Sequence, residues 1–218
     1  MEMKLLTEEC VMTDDQSDIL KSYRLGDMEF DVLISGIGTA FTTFHLTQTL
    51  LGNRYALVVN TGIAGSLSPE LEIGQVVNVV SEEFADLGIE KESEFLTLFD
   101  SGFMAPDEFP FENQLLKADA AELIDFLPRV KGITTNISHG KESSIQMIRQ
   151  KFTAQVESME GAAVFYVCRW LGVSCLQIRS VSNYVAPRSE AQWNIPLALE
   201  NLRDSLTKVL QLVNVQVG

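Results

Sequence analysis

Two carboxylates three residues apart, Glu157 and Glu160, interrupt the apolar run at residues 156–166 (VESMEGAAVFY). An ionised carboxylate in such surroundings is costly unless it is paired or meets a ligand. Two roles fit Glu160. It can be a first-turn helix carboxylate favoured by the helix dipole, or the acceptor of two hydroxyl hydrogen bonds from a sugar. Glu157 is the poorer candidate for a water-activating base, because two ionised carboxylates so close across a strand-to-helix turn repel each other.

A second group lies in Arg179-Ser180-Val181-Ser182-Asn183. Arg179 breaks an apolar run near its carboxyl end, where a guanidinium is either half of a buried ion pair or a group that faces a ligand. Asn183 is either a turn residue tolerant of unusual backbone angles or a neutral donor and acceptor. Gly36-Ile37-Gly38-Thr39 joins a strand to a helix N-terminus, a junction whose N–H groups can cradle an anion. It does not complete a dinucleotide fingerprint: Phe41 stands where the third glycine would fall, and no acidic residue follows at the expected distance. A nicotinamide dehydrogenase is therefore a poor fit. Of the two histidines, His139 lies on a strand-end loop within reach of a ligand, whereas His45 reads as an ordinary helix residue.

These residues need a frame. Strands are expected at 31–35, 55–60, 75–81, 130–135, 154–157 and 173–181, and helices at 40–51, 114–126, 143–151, 159–171 and 195–213, with 90–112 as a loop excursion. Strand and helix alternate throughout. That predicts one α/β domain over residues 1–218, a mixed but mostly parallel central sheet with helices on both faces. Ligands of such folds bind beyond the carboxyl ends of the strands, where the residues above cluster.

Composition narrows the partners. Thirty Asp and Glu against 16 Lys and Arg give a formal charge of −14. A surface that negative repels phosphate backbones and anionic lipids, which argues against nucleic-acid and membrane partners. No apolar run approaches the roughly 18–20 residues needed to span a bilayer. The acidic start MEMKLLTEEC lacks the layout of a secretion signal. Three widely spaced cysteines (Cys10, Cys168, Cys175) suit a reduced, cytoplasmic protein, and they and two histidines form no metal-binding pattern. No metal or cofactor is expected.

Asn60-Thr61-Gly62-Ile63-Ala64-Gly65, Val156-Glu157-Ser158-Met159-Glu160-Gly161-Ala162-Ala163 and Arg179-Ser180-Val181-Ser182-Asn183 together resemble the purine nucleoside phosphorylase and nucleosidase family, in order and spacing as well as in letters. The resemblance runs over nearly the whole chain and implies a three-layer phosphorylase-like fold, usually oligomeric. Phe84-Ala85-Asp86-Leu87-Gly88, the extra residue in Glu157-Ser158-Met159-Glu160, Asn183-Tyr184-Val185 with Pro187-Arg188, and Trp193-Asn194-Ile195 resemble its futalosine hydrolase branch, which releases hypoxanthine from futalosine on a menaquinone route. By that resemblance Glu160 holds the ribose 2′- and 3′-hydroxyls and Met159 packs on the sugar. Ile63, Ala64, Gly65, Ser138 and His139 contact the substrate, and Asn183 faces the purine N7 and O6 edge. Trp193 and Arg188 meet the 5′ extension, and Arg179 orders the water side of the sugar. An asparagine amide suits a 6-oxopurine, whose N7 and O6 both accept hydrogen bonds.

The family's first strand and the water-activating glutamate after it have no full counterpart here. Residues 1–6 resemble the segment just after that strand, which the resemblance implies is missing, and Glu2 falls on the glutamate position. Phosphorolysis needs arginine or lysine to hold a phosphate dianion, and residues 36–43 and 61–74 contain neither. Water is the expected nucleophile, attacking an oxocarbenium-like sugar.

Overall fold

Runs of valine, isoleucine and leucine make strands when both faces are to be covered, and such runs at 57–59, 76–80 and 176–181 join two shorter, more polar strands in a ring here. The computed structural model describes residues 10–92, 94–187, 189 and 192–217. A small antiparallel meander comes first: β1 (Val11–Asp14), β2 (Leu20–Leu25) and β3 (Met28–Leu33). After α1 (Thr39–Gly52) follow β4 (Leu57–Ser66), β5 (Val76–Phe84), the hairpin β6 (Gly88–Glu90) and β7 (Phe95–Thr97), and β8 (Leu116–Lys117). Then come β9 (Arg129–Thr134), α2 (Glu142–Lys151), β10 (Val156–Ser158), α3 (Gly161–Leu171), β11 (Ser174–Tyr184) and α4 (Ile195–Val217).

Neighbours run β11-β4-β10-β9-β5, and β5 returns to β11 through Ile178–Asn78, Arg179–Val77 and Ser180–Val76. The sheet thus closes into a barrel, with β8 on the edge of β5. The β11–β4, β10–β9 and β5–β9 pairings are parallel; β10–β4, β5–β11 and β5–β8 are antiparallel. The sheet is mixed, as expected; its closure into a barrel was not foreseen. A strand-helix-strand unit makes its own two strands parallel, as in β9–α2–β10. It does not dictate how β10 meets β4, nor whether the two ends of the sheet join.

The core follows from that closure. Ala64, Val77, Val79, Val130, Val156 and Val181 come one or two from each barrel strand and pack together. Leu176 and Ile178 pack outward on Leu202, Leu206 and Val209 of α4, and Ala162, Phe165 and Cys168 of α3 pack on Leu46 and Leu116. Full burial of such side chains contributes roughly 1.5–3 kcal/mol each.

The expected helix over 114–126 does not form. Ala118 N–H donates to Val80 O, Ala120 N–H donates to Cys175 O, and the Asp119 carboxylate accepts from Cys175 N–H at 2.8 Å. Tertiary hydrogen bonds to β5 and β11 override a local helical pattern, leaving one 3₁₀ turn at Ala121–Leu123.

A groove of about 540 Å³ runs between β3 and β4, lined by Met28, Phe30 and Val32 on one wall and Leu57 and Val59 on the other. Among the described residues β3 pairs only with β2, and β4 over residues 57–63 only with β11. Two strand edges therefore face each other across apolar walls. Among the described residues no helix is long and apolar enough to cross a membrane.

Candidate active site

Strand β4 does not stop at Asn60. It continues through Thr61-Gly62-Ile63-Ala64-Gly65, so this segment is a strand rather than a strand-end loop. Asn183 likewise lies inside β11, at an irregularity where Val181 faces Ala64 and Asn183 faces Gly65. Glycine at 62 leaves room for Arg179, since a Cβ there would overlap Nη1.

A cavity of about 370 Å³ opens where these strands meet the N-termini of α1 and α3. Ten of the expected site residues line it: Ile63, Ala64 and Gly65 of β4, Arg179 and Asn183 of β11, and Ser138, His139, Met159, Glu160 and Trp193 from loops and strand ends. Glu2 and Arg188 lie outside the described residues. Trp193 sits at the rim, 45% exposed, its backbone bridged to Asn183.

Glu160 occupies the cap position of α3 yet makes no cap bond to its own helix. Its Oε1 instead accepts Gly38 N–H at 3.1 Å, and Oε2 stands 3.7 Å from Arg179 Nη1. Thr39 N–H donates to Asn136 Oδ1 at 3.1 Å. The N–H groups of Gly38 and Thr39 at the Gly36-Ile37-Gly38-Thr39 junction thus meet the chain's own carboxylate and amide rather than an external anion. Arg179 is 4% exposed, and its Nε and Nη2 find no hydrogen-bond partner among the described residues. Unsatisfied buried donors of a cation are costly, so this guanidinium is suited to an oxygen ligand entering the cavity.

Asn183 Nδ2 donates to Tyr184 O at 3.0 Å, and Oδ1 accepts from Ser182 Oγ–H at 2.8 Å. One amide hydrogen and one carbonyl lone pair remain for a ligand. Glu157, set aside in the sequence as a water-activating base, lines the cavity, and its Oε2 binds His139 Nδ1 at 2.7 Å. That hydrogen bond raises the imidazole pKa above its usual 6.5, burial opposes it, and the charges of Glu157 and Asp86 add to it.

Behind the site lies a carboxyl that sequence reasoning passed over. Glu82 is fully buried, accepting from Gln177 Nε2–H at 2.6 Å and Thr134 Oγ1–H at 2.9 Å. Gln177 in turn accepts from Asn60 Nδ2–H at the cavity wall. A Cβ at Gly161 would overlap Glu82 Oε1, so glycine there belongs to this packing. The acidic pair ending the apolar run VVNVVSEEF was a visible signal. Desolvation pushes the Glu82 pKa up from 4.5 to about 7, against the Gln177 and Thr134 hydrogen bonds. The folded chain then holds a proton that the unfolded chain releases, so stability present in acid is lost as pH rises through about 7. Wild-type stability, measured against Glu82→Gln by denaturant unfolding, is expected to fall by on the order of 2–4 kcal/mol between about pH 4 and pH 8. A pH-independent difference would refute a buried, titrating Glu82.

The phosphorylase superfamily model matches residues 22–214. The chain belongs to this superfamily. It is 35% identical over 193 residues to futalosine hydrolase of Streptomyces coelicolor, covering 86% of this chain and 80% of the relative. It is 29% identical over 191 residues to the 5′-methylthioadenosine/S-adenosylhomocysteine nucleosidase of Psychromonas ingrahamii, covering 83% and 80%. The crystal structure of that nucleosidase from Campylobacter jejuni superposes with a TM-score of 0.75 at 23% identity, over 97% of this chain and 93% of the other. The superfamily fold is thus the barrel described above, and the named relatives are hydrolases of N-glycosidic bonds.

Proposed function

We propose that this phosphorylase-superfamily chain hydrolyses the N-glycosidic bond of a 6-oxopurine nucleoside, futalosine, and releases hypoxanthine for menaquinone synthesis as a cytoplasmic homo-oligomer. The observation that carries the reading is the opposition, in one cavity, of the Arg179–Glu160 pair and the Asn183 amide. Glu160 accepts the two ribose hydroxyls, with Met159 against the sugar. Arg179 directs its unsatisfied N–H groups at the nucleophilic water. Ile63, Ala64 and Gly65 form the wall under the base, Ser138 and His139 flank it, and Asn183 donates to N7 or O6. Trp193 and Arg188 meet the 5′ extension.

Water rather than phosphate is supported by the charges. Arg179 is the one Lys or Arg lining the cavity among the described residues, and the α1 N-terminus already binds Glu160. We assign to Glu2 the role of the base that activates water.

A second reading, 5′-methylthioadenosine/S-adenosylhomocysteine nucleosidase, is favoured by the likeness to relatives of that name. Adenine carries an amino group at C6, where the Asn183 NH₂ suits an oxygen, so the oxopurine reading is preferred. Base release from futalosine, inosine and 5′-methylthioadenosine, followed with and without phosphate, separates the readings. Hypoxanthine from futalosine at a phosphate-independent rate is expected. A sugar 1-phosphate product would mean phosphorolysis, faster adenine release the second reading, and binding without release a nucleoside-binding protein.

A further inference from the structure

Cleavage of a purine from a sugar leaves the bond's electron pair on the base, and a proton delivered there lowers the barrier. Asn183 can donate a hydrogen bond but has no transferable proton near neutrality. The acid must be another side chain. Among the described residues lining the cavity, the ionisable groups are His139, Glu157, Glu160 and Arg179. Arginine does not release its proton. Glu160 is held at the α1 end by Gly38 N–H and faces Arg179.

Register places Glu157, and with it the His139 ring it binds, across from Asn183. Glu157 of β10 is opposite Gly65 of β4, and Gly65 is opposite Asn183 of β11. Directly paired residues on adjacent strands share a face, so Glu157 and Asn183 stand on the same face, two strand spacings or roughly 9–10 Å apart. The residue between them has no side chain, and Val185 Cγ2 lies over it. The cavity here is floored by Gly65 and Val185, with Asn183 on one side and the Glu157–His139 pair on the other. Glu157 Oε2 takes Nδ1–H at 2.7 Å. This fixes the ring and leaves Nε2 as the nitrogen that can meet a ligand, the division of labour of a carboxylate-oriented histidine.

We propose that His139, oriented by Glu157, is the general acid that protonates the departing base. The inference rests on the nucleosidase reading above. As the C1′–N9 bond breaks, its electron pair passes to the purine, and the Nε2 proton is transferred to a ring nitrogen of the base. Water adds to C1′ and gives up one proton, and solvent reprotonates Nε2. The sum is nucleoside plus water giving free sugar plus neutral purine. Glu157 and Asp86 are the charged groups that hold the proton on His139.

The test compares two leaving groups. Inosine needs a proton on its base, whereas 4-nitrophenyl β-ribofuranoside expels a stabilised phenolate. His139→Gln should lower kcat/KM for inosine about 100-fold or more, and for the nitrophenyl riboside by less than about threefold. Glu157→Gln should move the alkaline limb of the inosine pH profile to lower pH, because the largest cause holding the proton is removed, and leave the nitrophenyl profile in place. Equal losses on both leaving groups would make His139 a positioning residue of its loop and overturn the proposal, as would an unchanged inosine rate. A wild-type chain inert toward both substrates would sink the nucleosidase reading itself.

Discussion

Glu160→Gln is expected to lower kcat/KM for the nucleoside about 10- to 150-fold, the loss of one charged hydrogen-bond partner in the transition state. The substitution keeps the shape of the side chain and an oxygen to accept Gly38 N–H at the α1 junction. What it removes is the negative charge 3.7 Å from Arg179 and the stronger acceptor for two sugar hydroxyls. Those hydroxyls become more acidic as positive charge builds on the ring, so the carboxylate binds the transition state more tightly than the ground state. The effect should therefore appear in kcat as well as in KM. Full activity in Glu160→Gln would leave this carboxylate as a tie between the α1 and α3 N-termini and nothing more.

A larger change is expected at the proposed base, Glu2. Glu2→Ala should lower kcat for the nucleoside by roughly 10²–10⁴-fold, the contribution of a positioned general base. Glu2→Gln should lose as much, because the amide keeps the shape of the side chain but cannot take a proton from water. KM and stability to denaturant should change little in either variant. If Glu2→Ala turns over as fast as the wild type, the assignment of Glu2 as base fails.

The helices were legible because their signals are local. Gly52 and Gly172 close α1 and α3, and Gly172 takes the left-handed conformation, φ 66°, that favours glycine at a helix end. Residues 143–151 and 195–213 read as α2 and α4 to within a few residues from apolar spacing alone. The same local signal misled at 114–126, where hydrogen bonds from β5 and β11 decided the outcome. Strand ends were misplaced for a related reason. β4 and β11 run on through Gly62–Ser66 and Ser182–Tyr184 because each supplies the other's partners in a parallel ladder, which composition does not reveal.

By itself the sequence determined which side chains are candidates for the chemistry: Glu160, Arg179 and Asn183 stand out as polar interruptions of apolar runs, and burial makes such interruptions costly unless they have a partner or a ligand. It also determined that strands and helices alternate, and that the charge is −14. Only the tertiary structure decided how they meet. Glu160 is 122 residues from Gly38, whose N–H it accepts, and Glu157 is 18 residues from the His139 it orients. Closure of β5 onto β11 carried Glu82 into a fully buried position behind both. Such pairings depend on strand order and on which edges join. Those follow from the burial of the whole core, to which every element contributes at once, and no window along the chain contains them.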